Sequence, residues 1–152
     1  MLFRSESIQD AQAARIYSFK LGNAYEALGG IRDLALAELW YQRALTLCAE
    51  EDRMGRARCL GQLGSVAYRR FRDARKTSQR PEEYVGHLSR AEQHCMQALE
   101  LFPKNAVREL APTHNQLGNI YGAADQIDAA LHHYREAIRY SEAMQEDRKS
   151  VV

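Results

Sequence analysis

The histidines and cysteines are the side chains in this chain that are best suited to chemistry, but their spacing argues against a catalytic or metal site. His132 and His133 are adjacent, and adjacent residues on a helix point about 100° apart, so they do not chelate one ion. A helical metal site needs i, i+4 spacing with a carboxylate or thiolate close by. His94 and Cys95 fail for the same reason, and no glycine-rich phosphate loop is present. We therefore expect no enzyme activity, no cofactor and no metal.

The three cysteines indicate reduced thiols. Their number is odd and none has CxxC spacing, which favours a reducing compartment. Cys48 and Cys59 flank one predicted turn and could lie near each other as thiols, whereas Cys95 is expected to pack in the core. No apolar stretch approaches the roughly 18 residues that cross a bilayer, and Met1 to Ala11 lacks the apolar core of a secretory signal. We predict a soluble, cytoplasmic protein without membrane contact.

Positive charge is concentrated in one segment. Nine basic residues and one acid lie between Arg53 and Arg80, in a chain whose net charge is +1. Four of the cations fall largely along one helical face and form a candidate basic patch: Arg69, Arg72, Arg75 and Lys76. Three interpretations remain open: a solvated hairpin face paired with Glu82 and Glu83, a contact for an acidic protein surface, or a contact for nucleic acid. Few aromatic residues interleave with the charges, so nucleic acid is the least favoured.

The sequence contains three similar units. Each has Leu-Gly, then Tyr or Ala three residues later, and then Ala followed by Tyr or Cys and a second Ala. The units are Leu21-Gly22, Tyr25, Ala37, Tyr41, Ala44; Leu63-Gly64, Ala67, Ala91, Cys95, Ala98; and Leu117-Gly118, Tyr121, Ala130, Tyr134, Ala137. The interval from the last Ala of one unit to the Gly of the next is 20 residues both times. Small residues let two helices approach closely, so the pattern predicts helix pairs that stack.

This order of residues resembles the tetratricopeptide repeat, whose signature is L-G-x2-Y followed by A-x3-F and a later Pro. Tyr or Cys replaces the Phe, and Ala67 replaces the signature Tyr in the middle unit. The strings LGNAY and LGNIY are most similar to the longer-repeat branch, which includes kinesin light chain and related adaptors. The resemblance covers roughly residues 12–146. It implies an all-α, right-handed solenoid of three antiparallel helix pairs that acts as a binding scaffold.

The unit boundaries follow from the spacing within a single domain, 1–152. We assign the units to about 12–50, 54–102 and 108–146. From Gly to the first Ala is 15 residues in the first unit, 27 in the second and 12 in the third. The extra residues of the middle unit predict two elongated helices that form a protruding basic hairpin over about 69–84.

The predicted helices run over about 8–28, 33–50, 52–76, 81–101, 107–123 and 126–147. Gly29-Gly30, Pro103 and Asp125 mark breaks between them. Pro81 with Glu82 and Glu83 predicts the start of the fourth helix. Pro112 either sits in the first turn of the fifth helix or kinks a helix that began earlier.

The resemblance places a partner on the concave face, which the first helices of successive units line. The residues that share this stripe are Phe19, Asn23, Glu26, Arg58, Gln62, Ser65, Arg69, Asn115 and Asn119. Asn offers both a donor and an acceptor to an extended peptide, although Asn on a solvated helix face is also common. The related domains that clamp an acidic chaperone C-terminus use Lys and Asn on the first unit, Asn on the second, and Lys and Arg on the third. This chain keeps Asn23 but has Phe19, Gln62, Pro112 and Gln116 at the other clamp positions, so the cations are missing and we exclude that subtype.

Three functions remain for the whole chain. The first is a protein–protein interaction scaffold that binds a peptide or protein segment in the groove, within a larger adaptor or signalling protein. The second is a structural element that self-associates, because the last predicted helix has no capping helix after it and a homodimer would cover the open end. The third is nucleic-acid contact through the basic hairpin.

Overall fold

A computed structural model describes residues 2–28 and 33–151, with side chains described from residue 7, and these residues form helices joined by turns. Six α-helices follow one another: α1 Leu2–Ala27, α2 Leu34–Leu47, α3 Arg53–Thr77, α4 Val85–Leu101, α5 Val107–Ala123 and α6 Ile127–Ser150. These residues contain no β-strand, which confirms the all-α prediction. The predicted break at Gly29-Gly30 lies outside the described residues.

Consecutive helices pack as antiparallel neighbours. The backbone N–H of Asp33, just before α2, donates to the carbonyl of Tyr25 near the end of α1. Further back along α1, Gly22 lies against the Tyr41 ring of α2, so the two helices run in opposite directions. Helices α3 with α4, and α5 with α6, pack in the same way, and α2 and α4 also contact the helices that follow them.

Polar caps and one left-handed residue set the helix ends. Asp33 accepts a hydrogen bond from the N–H of Leu36 at the start of α2, and Asp52 accepts one from Gly55 at the start of α3. Such caps contribute about 1 kcal/mol each. After α5, Asp125 has a φ of 62° and its N–H donates to Gly122, while Gln126 donates to Tyr121. This pair of bonds is the Schellman motif, and it confirms Asp125 as the break before α6.

In the middle helix pair, the length of α3 agrees with the prediction and the start of α4 does not. Helix α3 does run long, because Thr77 lies thirteen residues beyond Gly64, whereas α1 and α5 end five residues beyond their equivalent glycines. The prediction that α4 begins at Pro81 is wrong: Pro81–Glu83 form a 3-10 turn, and α4 begins at Val85. Tyr84 has a φ of −121° and separates the 3-10 turn from α4. Its ring packs edge-on against Phe71, with 5.7 Å between the ring centroids.

Pro112 lies inside α5, because that helix begins at Val107. Of the two alternatives left open by the sequence, the structure therefore selects the helix that starts earlier. Proline has no N–H to donate to the carbonyl of Arg108 one turn earlier, and both Pro112 and Arg108 are exposed.

The core runs along the helix crossings and continues from one pair to the next. One cluster contains Ala67, Ala91, Cys95, Leu117 and Ile120, which come from α3, α4 and α5. A Cβ atom on Gly22, Gly64 or Gly118 would lie 2.6, 2.4 or 2.5 Å from an atom of the facing helix. Each of these distances is shorter than a van der Waals contact, so the prediction that glycine permits the close crossing is confirmed.

Candidate functional site

The first helices α1, α3 and α5 border two adjoining depressions. One has a volume of about 350 Å³, and its lining includes Ile16, Phe19, Lys20, Asn23, Met54 and Arg58. The other has a volume of about 290 Å³, and its lining includes Phe19, Arg58, Gly61, Gln62, Pro112 and Gln116. Phe19 and Arg58 line both. We call the two depressions together the groove.

Phe19 is the main aromatic wall of the groove. Its ring is half-buried and packs edge-on against Tyr41 of α2, with 5.4 Å between the ring centroids. The same side chain packs against two core clusters. Phe19 therefore presents an apolar surface whose position is fixed from behind by the core.

An ion pair spans the groove between α3 and α5. Arg58 Nη2 lies 2.9 Å from Glu109 Oε1, with about half of the Arg58 side chain exposed. Sequence analysis placed Arg58 in the groove but missed Glu109, which lies one turn before Thr113 on the groove side of α5. Because the two charges neutralise each other, Arg58 is not free to pair with a carboxylate of a partner.

Asn23 and Asn119 each bond a tyrosine of the neighbouring helix. Asn119 Oδ1 accepts from the Tyr134 hydroxyl at 2.7 Å, and Asn23 Oδ1 lies 2.7 Å from the Tyr41 hydroxyl oxygen, whose single proton is shared with the Glu26 carboxylate. Both asparagines directly follow the crossing glycine of their unit, and both tyrosines lie four residues after its first core Ala. Both amide groups are thus already engaged within the protein by a tyrosine of the second helix. Asn115 is exposed one turn before Asn119.

Glu26 is the centre of a polar network between the first two helix pairs. The residue is only 8% exposed, and it accepts hydrogen bonds from the Tyr41 hydroxyl at 2.7 Å and from the Ser65 hydroxyl at 3.1 Å. Arg69 Nε lies 3.6 Å from Glu26 Oε1, and Arg69 also donates to the Glu26 carbonyl. Burial and the Glu26 carboxylate together raise the pKa of Tyr41 above its ordinary value.

The predicted stripe is therefore divided by the structure. Four of its members line the groove: Phe19, Asn23, Arg58 and Gln62. Glu26, Ser65 and Arg69 come together beside it, where they join helices α1, α2 and α3. Lys20, Met54 and Arg108 line the groove without having been selected, although each lies three or four residues from a selected position or from a residue that lines the groove.

The basic patch is not paired as the hairpin interpretation required. Glu82 and Glu83 lie 3.5 and 3.3 Å from nitrogen atoms of Arg80, which is outside the patch. The interpretation that Glu82 and Glu83 pair with the basic patch is therefore wrong. Both acids lie in the 3-10 turn that follows Arg80, and both pair with Arg80 instead. Within the patch, Arg69 contacts Glu26, and the Arg75 guanidinium lies 5.8 Å from the centre of the Phe71 ring.

A histidine contact between α5 and α6 was missed by the sequence analysis. His114 Nδ1 lies 3.0 Å from His133 Nδ1, in a stack of rings that continues to Tyr121 and Tyr140. Burial lowers the pKa of both histidines. His132 was considered as the partner of His133 because the two are adjacent in the chain, whereas the ring that contacts His133 is that of His114, 19 residues away.

The buried thiols have the properties of packing residues. Cys48, Cys59 and Cys95 are all buried free thiols, and Cys95 belongs to a core cluster, which confirms its predicted packing role. Burial raises the pKa of Cys59 and of Cys95 to about 12, so the nucleophilic thiolate is scarce at neutral pH. Among the described residues, no group of three or more His, Cys, Asp or Glu side chains is arranged to hold a metal ion.

Comparison with known proteins identifies one part of the chain. Residues 111–144 match the family model of the tetratricopeptide repeat, and this segment runs from Ala111 in α5 to Met144 in α6. A search of curated proteins found no match. Within residues 2–28 and 33–151, no helix has both the length and the apolar character to cross a membrane. The α5–α6 pair thus carries a tetratricopeptide repeat within an all-helical chain, and repeats of this family generally mediate protein–protein interaction.

Proposed function

We propose that this chain is a protein–protein interaction module that binds an extended segment of a partner protein in the groove. The proposal includes three tetratricopeptide units in a right-handed solenoid, with the groove on its concave side, in a cytoplasmic protein of adaptor type. One observation carries it: the groove is continuous from α1 to α5, and Pro112, Thr113 and Gln116 on its wall lie within the matched segment 111–144.

The chemistry of the groove fits a mixed peptide. Phe19 and Met54 offer apolar surface, and Asn23 and Gln62 offer hydrogen bonds to a peptide backbone. Each hydrogen bond contributes about 0.5–1.5 kcal/mol net, whereas micromolar affinity requires about 8 kcal/mol. Several bonds together with one buried apolar side chain of the partner therefore account for binding in the micromolar range.

Gly61 provides a direct test. A Cβ on Gly61 would meet no atom within 4 Å, and Gly61 lines the groove in the middle of α3, so Gly61→Leu places an apolar side chain in the groove at a position where its Cβ has room. Gly86 is also open and lies on α4, which makes Gly86→Leu a matched control. Peptides selected from a random library against the wild-type chain should bind Gly61→Leu about tenfold more weakly, the loss of one buried apolar contact. Equal binding of the peptides to Gly61→Leu and Gly86→Leu would reject the proposal that they bind in the groove.

Self-association is a second candidate, favoured by an apolar stripe on α6. Ile127, Leu131 and Ile138 share one face of the helix and are 56%, 44% and 58% exposed. A second copy that packs on this face would form a homodimer. Sedimentation equilibrium of wild type and of Leu131→Glu measures this directly: a concentration-dependent dimer that the substitution abolishes supports it, and a monomer at all concentrations rejects it.

A further inference from the structure

Helix α3 extends beyond its neighbours and carries its basic residues with it. Residues 70–77, here named the α3 extension, continue the helix for eight residues past the level at which α1 and α5 end, or about 12 Å. A cleft lies on each side of it. The cleft towards α1 has a volume of about 490 Å³ and the cleft towards α5 about 340 Å³. Arg72 and Lys76 line both clefts.

Three cations of this surface make no ion pair with any described residue. Arg69 lies beside Glu26, and Arg70 pairs with Glu38 of α2. Among the side chains that the structure describes, those of residues 7–28 and 33–151, no such partner is present for Arg72, Arg75 or Lys76, and all three are exposed. Their positions near the C-terminus of α3 complement the helix dipole, but the partial negative charge of the dipole does not neutralise three cations. Their charged ends are therefore available to an acidic ligand.

Acidic side chains line only one of the two clefts. Glu26 lines the cleft towards α1, but it is buried and already accepts from Tyr41 and Ser65. Asp73 lines the same cleft and has an interaction of its own within the chain. The cleft towards α5 is lined by Tyr68, Phe71, Ala123 and the three cations, and no carboxylate belongs to its lining.

The surface of the α3 extension suits a peptide better than a nucleic acid. Arg72 and Lys76 are four residues apart on a helix, a rise of about 6 Å, which is close to the roughly 7 Å between alternate side chains of an extended peptide. Bases bind by stacking on open aromatic rings, but Phe71 is 3% exposed and Tyr68 stacks on it with 5.9 Å between centroids. Three cations also neutralise few phosphates compared with the 6–10 contacts of a typical DNA-binding surface.

We propose that the α3 extension binds an extended, acidic segment of a partner protein, with Arg72, Arg75 and Lys76 pairing with its carboxylates. This surface is separate from the groove and does not depend on the groove being occupied. The ligand class is a peptide with Glu or Asp at alternate positions, because alternate side chains of an extended chain face the same side.

The probe is a fluorescein-labelled peptide of about six alternating Glu and Gly residues, long enough to span the α3 extension. Its binding is measured by fluorescence anisotropy at low salt. The triple variant R72E/R75E/K76E should bind about tenfold more weakly than wild type. Adding salt to about 1 M should have a similar effect on the wild type, because the Debye length falls to about 3 Å. The variant R72Q/R75Q/K76Q removes the charge without reversing it and should also bind weakly.

The matched control is K104E/R135E/K149E, which makes the same change in net charge at exposed positions away from the α3 extension. It should bind the peptide about twofold more weakly at most, the effect of net charge alone. Equal weakening by both triple variants, or no peptide binding by the wild type, overturns the proposal. Tighter binding of a labelled oligothymidine than of the peptide also overturns it in favour of nucleic acid. Gly61→Leu should leave peptide binding unchanged, which keeps this test distinct from that of the groove.

Discussion

The close crossing of α3 and α4 can be tested with two glycines of one helix. Gly64 and Gly61 both lie inside α3, three residues apart, and both become alanine in the test. A Cβ on Gly64 would lie 2.4 Å from Cys95 Sγ and 3.3 Å from the Ala91 carbonyl oxygen, and Cys95 and Ala91 are fully buried. A Cβ on Gly61 would meet nothing within 4 Å. The pair therefore separates the helix preference for alanine from the packing of the crossing.

The expected free energies follow from these contacts. In a helix interior, alanine is favoured over glycine by about 1 kcal/mol, so Gly61→Ala should raise the free energy of unfolding by about 0.5–1 kcal/mol. Gly64→Ala has the same gain, but relieving a 2.4 Å contact requires the helices to separate or Cys95 to rotate in a filled core. Overpacking of this kind costs about 1–3 kcal/mol. The helix preference cancels between the two variants, so Gly64→Ala should be less stable than Gly61→Ala by about 1–3 kcal/mol.

Urea unfolding followed by circular dichroism at 222 nm measures both variants, with the dependence of free energy on urea checked for a change in slope. A double-mutant cycle with Cys95→Ala gives a stricter test, because removal of Sγ makes room for the new Cβ. The double variant should then be more stable than the sum of the single changes by about 1 kcal/mol. If Gly64→Ala is as stable as Gly61→Ala and shows no coupling to Cys95, the helices do not cross closely at this glycine.

Three further outcomes follow from contacts within the chain. Burial lowers the pKa of His114 and His133, so the unfolded chain binds more protons, and the free energy of unfolding should fall as pH decreases from about 6.5 towards the lower pKa of the folded state. Burial also lowers the pKa of His87 and His94, so urea titrations between neutral pH and mild acid are compared with those of the variant His114→Gln/His133→Gln; an equal fall in both would contradict the assignment to this pair. Tyr134→Phe removes the hydroxyl that donates to Asn119 and should lower the free energy of unfolding by about 0.5–1.5 kcal/mol, read from the urea midpoint. Asp125 has a positive φ that glycine adopts without strain, so Asp125→Gly should raise the free energy of unfolding by up to about 1 kcal/mol and with it the melting temperature. An unchanged or lower melting temperature would contradict this.

The helix crossings were predictable because they depend on side-chain size at fixed spacing. A crossing leaves no room for a Cβ at one position, and that requirement appears in the sequence as Gly22, Gly64 and Gly118. The break at Asp125 was predictable for a similar reason, since the turn after α5 needs a residue that tolerates a left-handed conformation. Such local steric demands leave a direct trace in the sequence.

The start of α4 was not predictable from its local composition. Proline followed by two acids is a favourable helix start, yet Pro81–Glu83 form a 3-10 turn. The ring of Tyr84 packs against Phe71, which is thirteen residues away in the chain, and this contact fixes a non-helical φ just before α4. A tertiary contact therefore overrides the local preference at this point.

The partners of the groove-side polar residues needed the structure, although one signal was present in the sequence. Asn after the crossing glycine occurs together with Tyr after the first core Ala in the first and third units. The middle unit lacks both and has Ser65 and Cys95 instead. Joint presence and joint absence indicate a direct contact, and the bonds of Asn23 to Tyr41 and of Asn119 to Tyr134 are that contact. The sequence prediction treated the two asparagines only as partner-binding amides and therefore did not include their contacts with the tyrosines.

The change at the middle unit also alters how the helix pairs are joined. In the outer pairs, the hydroxyl-to-amide bond stays within one pair. At the equivalent place in α3, Ser65 bonds backwards to Glu26 of α1, and Glu26 in turn accepts from Tyr41 of α2. One buried carboxylate thus receives donors from both sides of the boundary between the first two pairs. Because a buried charge that loses its partners is strongly unfavourable, separating the first pair from α3 would leave Glu26 with fewer donors, and this opposes independent movement of the two pairs.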